Sequence, residues 1–379
     1  MIKASVVKKD LAAALKSTAG LCAKSTLPIL QCVVIEGTDA GLSVTGSNLE
    51  VEVCVRVHAD MARNGKIAVH GGKLSDVVKR LDPDAVLRIE ADKNGCKILC
   101  GRSRFRLPVE AAEDFPFIAD VDAHDRLLIR ESDLLGILNH CYAQVARNDP
   151  RWFLNGLLIT AREDGITGVG TDGKRLATMR VDSAGSAADA EWDAIVPRGS
   201  VDVLRSILAG RDETIELVAG GSDGGGGVRH LRVDDGRATV VTRLIDGRFP
   251  EWKRSIKDVD YWVGVNRQEL AECVARGSAL SHRRFSSSDG KGSGFSVKLS
   301  FCAGSIRVSG LSGSTDESVD EIGADVEGIE DVDVVTEYLV DAINGIAPDD
   351  IEIGYGGAPE ILLRPHGVHD RLQVVMAVV

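Results

Sequence analysis

One order of elements runs through this 379-residue chain three times, at intervals of about 126 residues, although residue identity hardly repeats with it. Each third opens on an amphipathic helix. The first places Leu11, Ala14 and Leu15 on one face after Lys9-Asp10. The second places Leu134, Ile137, Leu138 and Cys141 at i, i+3, i+4 and i+7, and Leu270, Cys273 and Val274 do the same in the third. Acidic or polar residues stand at each start (Asp10, Ser132-Asp133, Gln268-Glu269), where the positive end of a helix dipole favours them.

A strand, a turn and another strand are predicted next. The turns end at Gly41, Gly165 and Gly304, which lie 30, 31 and 34 residues beyond Leu11, Leu134 and Leu270. Alternation marks the strands: Val51, Val53, Val55 and Val57 interleave with Glu52, Cys54 and Arg56, and Phe295, Val297, Leu299 and Phe301 with Ser296, Lys298 and Ser300. A second helix follows in each third. It is carried by Leu74, Val77, Val78 and Leu81, then Val201, Leu204 and Leu208, then Leu339, Ala342, Ile343 and Ile346. A final pair of strands is predicted to close each third. The first two thirds end alike, at Asp114-Phe115-Pro116 and Arg248-Phe249-Pro250, and the last ends in residues 372–379. The Gly-rich run from Gly220 to Gly227 falls between two strands as a hairpin tip.

This pattern predicts an α+β chain of three two-layer domains, each with two helices packed on antiparallel sheet. The boundaries fall at 1–121, 122–254 and 255–379. With no long linkers between them, the sheets are expected to continue from one domain into the next.

Hydrophobic residues make up 44% of the chain, enough for a sizeable core. The formal charge is −12, from 45 Lys+Arg against 57 Asp+Glu, which excludes a broad basic surface of the kind that reads nucleic acid from outside. Aromatics at 4% are too few for a base-stacking platform. The charge is unevenly placed. Five of the six helical segments are neutral or positive, from 0 at residues 130–151 to +3 at residues 7–24, and only residues 335–350 are acidic, at −4. The six together carry +4 and the rest of the chain −16.

No apolar signal segment follows Met1, and no stretch reaches the roughly 18 apolar residues of a membrane span, so a soluble cytoplasmic protein is expected. The eight cysteines form no Cys-x-x-Cys and read as buried or half-buried thiols of a reducing compartment. Asp172-Gly173-Lys174-Arg175 and Gly71-Gly72-Lys73-Leu74 lack the hydroxyl residue of a phosphate loop. His366-Gly367-Val368-His369-Asp370 reads as a solvated turn between strands, with no further ligand at metal spacing. No cofactor, metal or catalytic motif is expected.

Several motifs, in order and spacing, resemble those of the bacterial sliding clamp, the β subunit of the replicative DNA polymerase. They are Thr26-Leu27-Pro28-Ile29-Leu30, Gly101-Arg102-Ser103-Arg104-Phe105, Phe153-Leu154-Asn155-Gly156, Thr171-Asp172-Gly173-Lys174-Arg175-Leu176-Ala177 and Asp246-Gly247-Arg248-Phe249-Pro250. The resemblance runs end to end. It implies a non-enzymatic processivity factor: a ring-shaped, head-to-tail homodimer around duplex DNA, opened by an ATP-using loader. The alternative is a divergent interaction scaffold with the clamp fold that does not encircle DNA.

Helix geometry agrees with the dimer. Six helices at a spacing of about 9 Å enclose ~17 Å between axes, too little for a duplex, whereas twelve enclose roughly 34 Å and leave a hole of about 24 Å. Positive helices would then hold phosphates without reading bases.

The resemblance further implies DNA contacts from Lys24, Arg147, Asn148, Arg151 and Trp152, to which charge and position add Arg198 and Arg205. Ring closure would set Lys73, Arg102, Arg104, Phe105 and Leu107 against Ala279, Leu280, Phe285, Asp316, Glu317 and Glu321. A groove for short linear peptides of the polymerase, the clamp loader and repair factors would be built from Leu154, Thr171, Gly173, Lys174, Arg175, Leu176, Pro250, Arg254, Val374 and Met376. The chain departs from the family pattern at Lys174, where His is usual, at Ser255, where an apolar residue is usual, and at its Met376-Ala377-Val378-Val379 ending.

Overall fold

The computed structural model describes all residues except 1, 23–25, 119–122, 183–190, 222–227, 282–283, 287–292, 313–315, 358 and 379, and except the side chains of 123–125, 284–286, 293–294, 311–312 and 316. Six α-helices fall where the periodicity puts them: α1 (Lys8–Cys22), α2 (Gly71–Lys79), α3 (Glu131–Tyr142), α4 (Arg198–Ile207), α5 (Arg267–Gly277) and α6 (Thr336–Asn344). Their predicted apolar faces are buried, with Leu11, Leu74, Leu134, Val201, Leu270 and Leu339 all at 1% exposure or less. Asn266 caps α5 by accepting from the Gln268 and Glu269 N–H groups at 2.9 and 3.1 Å.

The strand count differs from expectation. Among the described residues, four strands follow the second helix of the first third and three follow that of each other third, where two were expected; four or five, not two, separate the paired helices; and one further strand precedes each first helix: Ile2–Val7, Ala123–Arg130 and Tyr261–Asn266. Each leading strand pairs antiparallel with the strand after the second helix of its own third, namely Val86–Asp92, Thr214–Gly220 and Asp350–Tyr355. Leading strands of six to eight residues run straight into a helix, so their alternation is short and is overwritten by the longer helical period that follows.

The three predicted turn glycines adopt the left-handed region, with φ of 126° at Gly41, 135° at Gly165 and 84° at Gly304. Each closes a hairpin beneath the first helix of its third. A second set of glycines repeats with the fold. A Cβ on Gly46 would lie 2.5 Å from the Thr18 carbonyl oxygen, one on Gly310 would lie 2.8 Å from that of Gly277, and one on Gly170 would collide with that of Cys141. Thr18, Cys141 and Gly277 each stand seven residues beyond the first leucine of their helix. The first helix therefore rests directly on strand backbone in all three thirds.

Contacts divide the chain into two compact units, Met1–Leu135 with Ser183–Leu244, and Gly136–Asp182 with Ile245–Val379. The first unit has a five-stranded sheet in the order Ala59–Arg63, Ile2–Val7, Val86–Asp92, Gly95–Cys100, Ser103–Leu107. Its nine-stranded sheet runs from Val109–Glu110 to Ala123–Arg130 and joins the first third to the second where Val51–Val57 pairs with Ala238–Arg243 over five registered residue pairs. Arg56 clamps that seam, donating to both Asp234 carboxylate oxygens at 3.1 and 2.8 Å. The core under α1 and α2 draws Ile2, Leu87 and Ile98 from the first sheet and Val33, Ile35 and Val69 from the second.

At the start of α3, Glu131 is fully buried. It accepts from the Gly210 N–H at 3.1 Å, from the Ala209 N–H, and from Arg211 Nε at 2.8 Å.

In the second unit, strands run in the order Gly156–Arg162, Gly165–Thr171, Arg175–Val181, Arg371–Met376, Glu360–Pro365, Asp350–Tyr355, Tyr261–Asn266. Here the second third joins the last through five registered pairs between Arg175–Val181 and Arg371–Met376. A smaller sheet packs Ser293–Cys302 between Ser305–Ser312 and Glu330–Val335, with Asp316–Gly323 beyond Ser305–Ser312. Its core centres on Phe301, stacked on Tyr355 with ring centroids 3.8 Å apart. Among the described residues no helix is long and apolar enough to cross a membrane.

Candidate functional site

The ten residues expected to build a groove all fall in the second unit, and Arg175, Leu176, Val374 and Met376 stand on the two strands of its seam, Arg175–Val181 and Arg371–Met376. The approach to this seam is a tight turn built by side chains. Thr171 Oγ1 accepts the Gly173 N–H at 3.0 Å and donates to the Arg175 carbonyl at 2.7 Å. Asp172 Oδ1 accepts the Lys174 and Arg175 N–H groups at 2.9 and 3.1 Å. Gly173 has φ of 86°, and a Cβ there would lie 3.0 Å from the Arg151 guanidinium. The turn thus demands Thr, Asp and Gly in that order.

Arg175 is the electrostatic centre. It is only 11% exposed and donates to Asp172 Oδ2 at 2.9 Å and to Asp341 Oδ2 on α6 at 2.6 Å. Its guanidinium also lies over the Tyr338 ring, 4.5 Å from the centroid. Burial works against its charge, but the two carboxylates outweigh burial and hold its pKa above the ordinary arginine value. The acidic α6, the exception among the six helical segments, thus supplies the carboxylate that helps neutralise Arg175.

Leu154, Leu176 and Val374 are 2–4% exposed, with Leu176 and Val374 paired across the seam. Met376 is 37% exposed, and Pro250 and Arg254 are exposed. Ser255 is exposed as well. The Met376 N–H is held at 3.0 Å by the Lys174 carbonyl. Behind the terminal strand, His140 is buried with Nδ1 3.0 Å from the Gly345 carbonyl and Nε2 3.3 Å from that of Leu372. Gln373 Nε2 donates to the His140 carbonyl at 2.9 Å. Burial lowers the pKa of His140.

The loop of predicted DNA contacts lies beside the turn. Arg147 and Asn148 are exposed, Asn148 with φ of 55°, and Trp152 is 61% exposed with its indole N–H donating to the Asp246 carbonyl at 2.9 Å. Arg151 is engaged within the chain: it binds Asp149 through Nε and Nη2 at 2.9 Å and donates to the Asp172 carbonyl at 3.0 Å. It joins this loop to the groove turn. Arg198 and Arg205 lie half-buried on α4 in the other unit. Lys24 lies outside the described residues.

Of the predicted closure residues, Lys73, Arg102, Arg104, Ala279, Glu317 and Glu321 are exposed, Phe105 and Leu107 half-buried, and Leu280 43% exposed. The side chains of Phe285 and Asp316 lie outside the described ones. Ser103–Leu107 and Asp316–Gly323 each end the strand order of their sheet. Among the described residues no group of three or more His, Cys, Asp and Glu could hold a metal ion. Sequence reasoning missed Tyr338 and Asp341, which carry no local motif, and Asp172, whose place in Thr-Asp-Gly was a legible turn signal.

Comparison with known proteins agrees with this geometry. Residues 2–119 match the N-terminal domain of the DNA polymerase III beta subunit, and residues 129–251 match its central domain. The beta sliding clamp of Pseudomonas putida is 29% identical over 357 residues, 93% of each chain. That of Escherichia coli K12 is 25% identical over 356 residues, 93% of this chain and 92% of that one. A crystal structure of the Pseudomonas aeruginosa sliding clamp bound to griselimycin superposes with a TM-score of 0.91 at 26% identity, covering 100% of this chain and 99% of that one. Two contiguous domain matches, relatives across nearly the whole length and the common fold together establish that the chain belongs to the DNA polymerase III beta subunit family, the beta sliding clamps.

Proposed function

We propose that two copies of this chain close head-to-tail around duplex DNA and, without catalysing a reaction, tether a polymerase to it. The chain acts as three clamp domains, 1–121, 122–254 and 255–379, in the cytoplasm. The observation that carries this reading is the complementarity of two sheet edges. One end strand, Ser103–Leu107, carries Arg104 and follows Arg102, and the other, Asp316–Gly323, carries Glu317 and Glu321. Opposite charge on two unpaired edges suits a contact between different copies that is satisfied when the ring closes. Leu280 and Val319, 43% and 48% exposed, supply apolar surface on one side of it.

Exposed Lys9, Lys16 and Lys79 on α1 and α2 support sequence-independent phosphate contact, joined by Arg147 and Trp152. Partner proteins, among them the polymerase, the clamp loader and repair factors, dock peptides beside Met376, over the Leu176–Val374 floor.

The test is loading onto circular plasmid DNA followed by linearisation. Retention on the circle and release on cutting are expected. Retention after cutting overturns the topological reading, and a monomeric mass in sedimentation overturns the ring.

A further inference from the structure

The outer face of the five-stranded sheet is basic in a chain whose net charge is −12. Leu87, Ile89, Cys96 and Ile98 turn inward and are fully buried, so their strand neighbours turn out. Register sets these neighbours in two rows across the strands. One row is Lys3, Glu90, Lys97 and Arg106. The other is Ser5, Arg88, Leu99 and Arg104. The two rows hold five cations and one carboxylate.

Lys3 Nζ lies 3.3 Å from Glu90, and Arg106 donates to the Asn94 carbonyl at 2.8 Å. Arg88, Lys97 and Arg104 have no ion pair among the described residues. Lys97 also stands directly opposite Arg106, a like-charge cross-strand pair that destabilises a sheet. A sheet edge kept soluble needs charge, but not a like-charged pair. Arg88, Lys97, Arg104 and Arg106 rim an open depression of about 840 Å³ whose lining includes half-buried Leu99 and Val86, 61% exposed.

We propose that this face docks a short acidic peptide segment of a partner protein, with an apolar side chain seated on Leu99 and Val86. Charge complementarity selects an anion, and the apolar lining selects a peptide over a nucleic acid. Phosphates gain nothing from Val86 and Leu99, whereas an acidic peptide seats a side chain on them. The face shares no residue with the Met376 groove. It adjoins the proposed closing edge through Arg104, while Lys97 and Arg88 lie one and two strands in from that edge and stay outside an edge-to-edge joint.

The test is fluorescence anisotropy of the full chain with a labelled peptide, Glu-Glu-Leu-Asp-Glu-Phe-Asp. The double variant Arg88→Glu with Lys97→Glu should bind about ten-fold more weakly, and Glu90→Gln, which removes the one carboxylate, about three-fold more tightly. Sedimentation and melting confirm that the double variant is intact. Should it fail to fold, Glu90→Gln alone decides, and unchanged or weaker binding there overturns the proposal. Unchanged affinity in the intact double variant does so too. Equal binding of the peptide with Leu and Phe replaced by Ser would do the same, as would tighter binding of oligothymidine that the double variant loses.

Discussion

Arg175 and Asp341 meet at 2.6 Å although 166 positions of chain separate them. The pair fixes the Thr171–Arg175 turn to α6, so the guanidinium is held in place by the chain itself. Asp341→Ala leaves Arg175 held by Asp172 and the Tyr338 ring. Because Asp341 is 34% exposed, the loss is about 1 kcal/mol, or roughly five-fold in affinity for a labelled peptide with Leu and Phe anchors. The mass in sedimentation should not change. A fluorescence titration showing equal affinity would mean that Arg175 is positioned by Asp172 and Tyr338 without help.

Glu131 is a buried charge whose partners all lie in residues 209–211. Glu131→Ala strands two N–H groups and leaves Arg211 to Asp235 and Glu213, and about 2 kcal/mol of stability should disappear. Thermal melting of the first unit's transition reads it. Glu131→Gln, which keeps the shape and loses the charge, should fall between the two.

Gly170→Ala drives a methyl group into the Cys141 carbonyl, a backbone group that cannot swing aside. A loss of about 2 kcal/mol is expected. Gly20, on α1 with nothing within 4 Å of its would-be Cβ, is the control. Gly20→Ala should stabilise by up to about 1 kcal/mol through helix propensity. Parallel melts with no difference in sign would refute the close helix-on-strand approach.

Acid should loosen the seam between the first two thirds. Burial alone would raise the Asp234 pKa. The Arg56 guanidinium, the Gly236 N–H and the Thr239 hydroxyl outweigh burial and leave it below the ordinary carboxylate value. A lowered folded pKa stabilises above the unfolded value of about 4 and ceases to do so as pH falls through the folded one. Wild type should therefore exceed Asp234→Asn in denaturant midpoint at pH 7. The gap should close only as the pH drops well below 4. A gap constant across that range would show that Asp234 titrates identically in folded and unfolded chains.

The helices were legible because a buried face repeats every three to four residues within one window, as Leu134, Ile137, Leu138 and Cys141 do. Gly41, Gly165 and Gly304 were legible because a tight turn requires a conformation that few other residues tolerate. The leading strands were hidden by the helices they enter. The groove was half legible. Thr171-Asp172-Gly173 signals its own turn, yet nothing near Arg175 points to Asp341 rather than Glu337 one turn away on α6. Nor do residue types separate a pocket wall from a core: Leu176 and Val374 suit either, and they are buried while Met376 stands at the surface.

The two seams inside the chain, Val51–Val57 with Ala238–Arg243 and Arg175–Val181 with Arg371–Met376, are main-chain ladders of five pairs each. A pull along such a belt must break several backbone bonds at once, with a covalent chain running past each break. A joint between separate molecules has no such backup. In the closed assembly proposed above, strain concentrates at the two joints between copies, and a loader needs to rupture only one of them while every domain rides the opening intact.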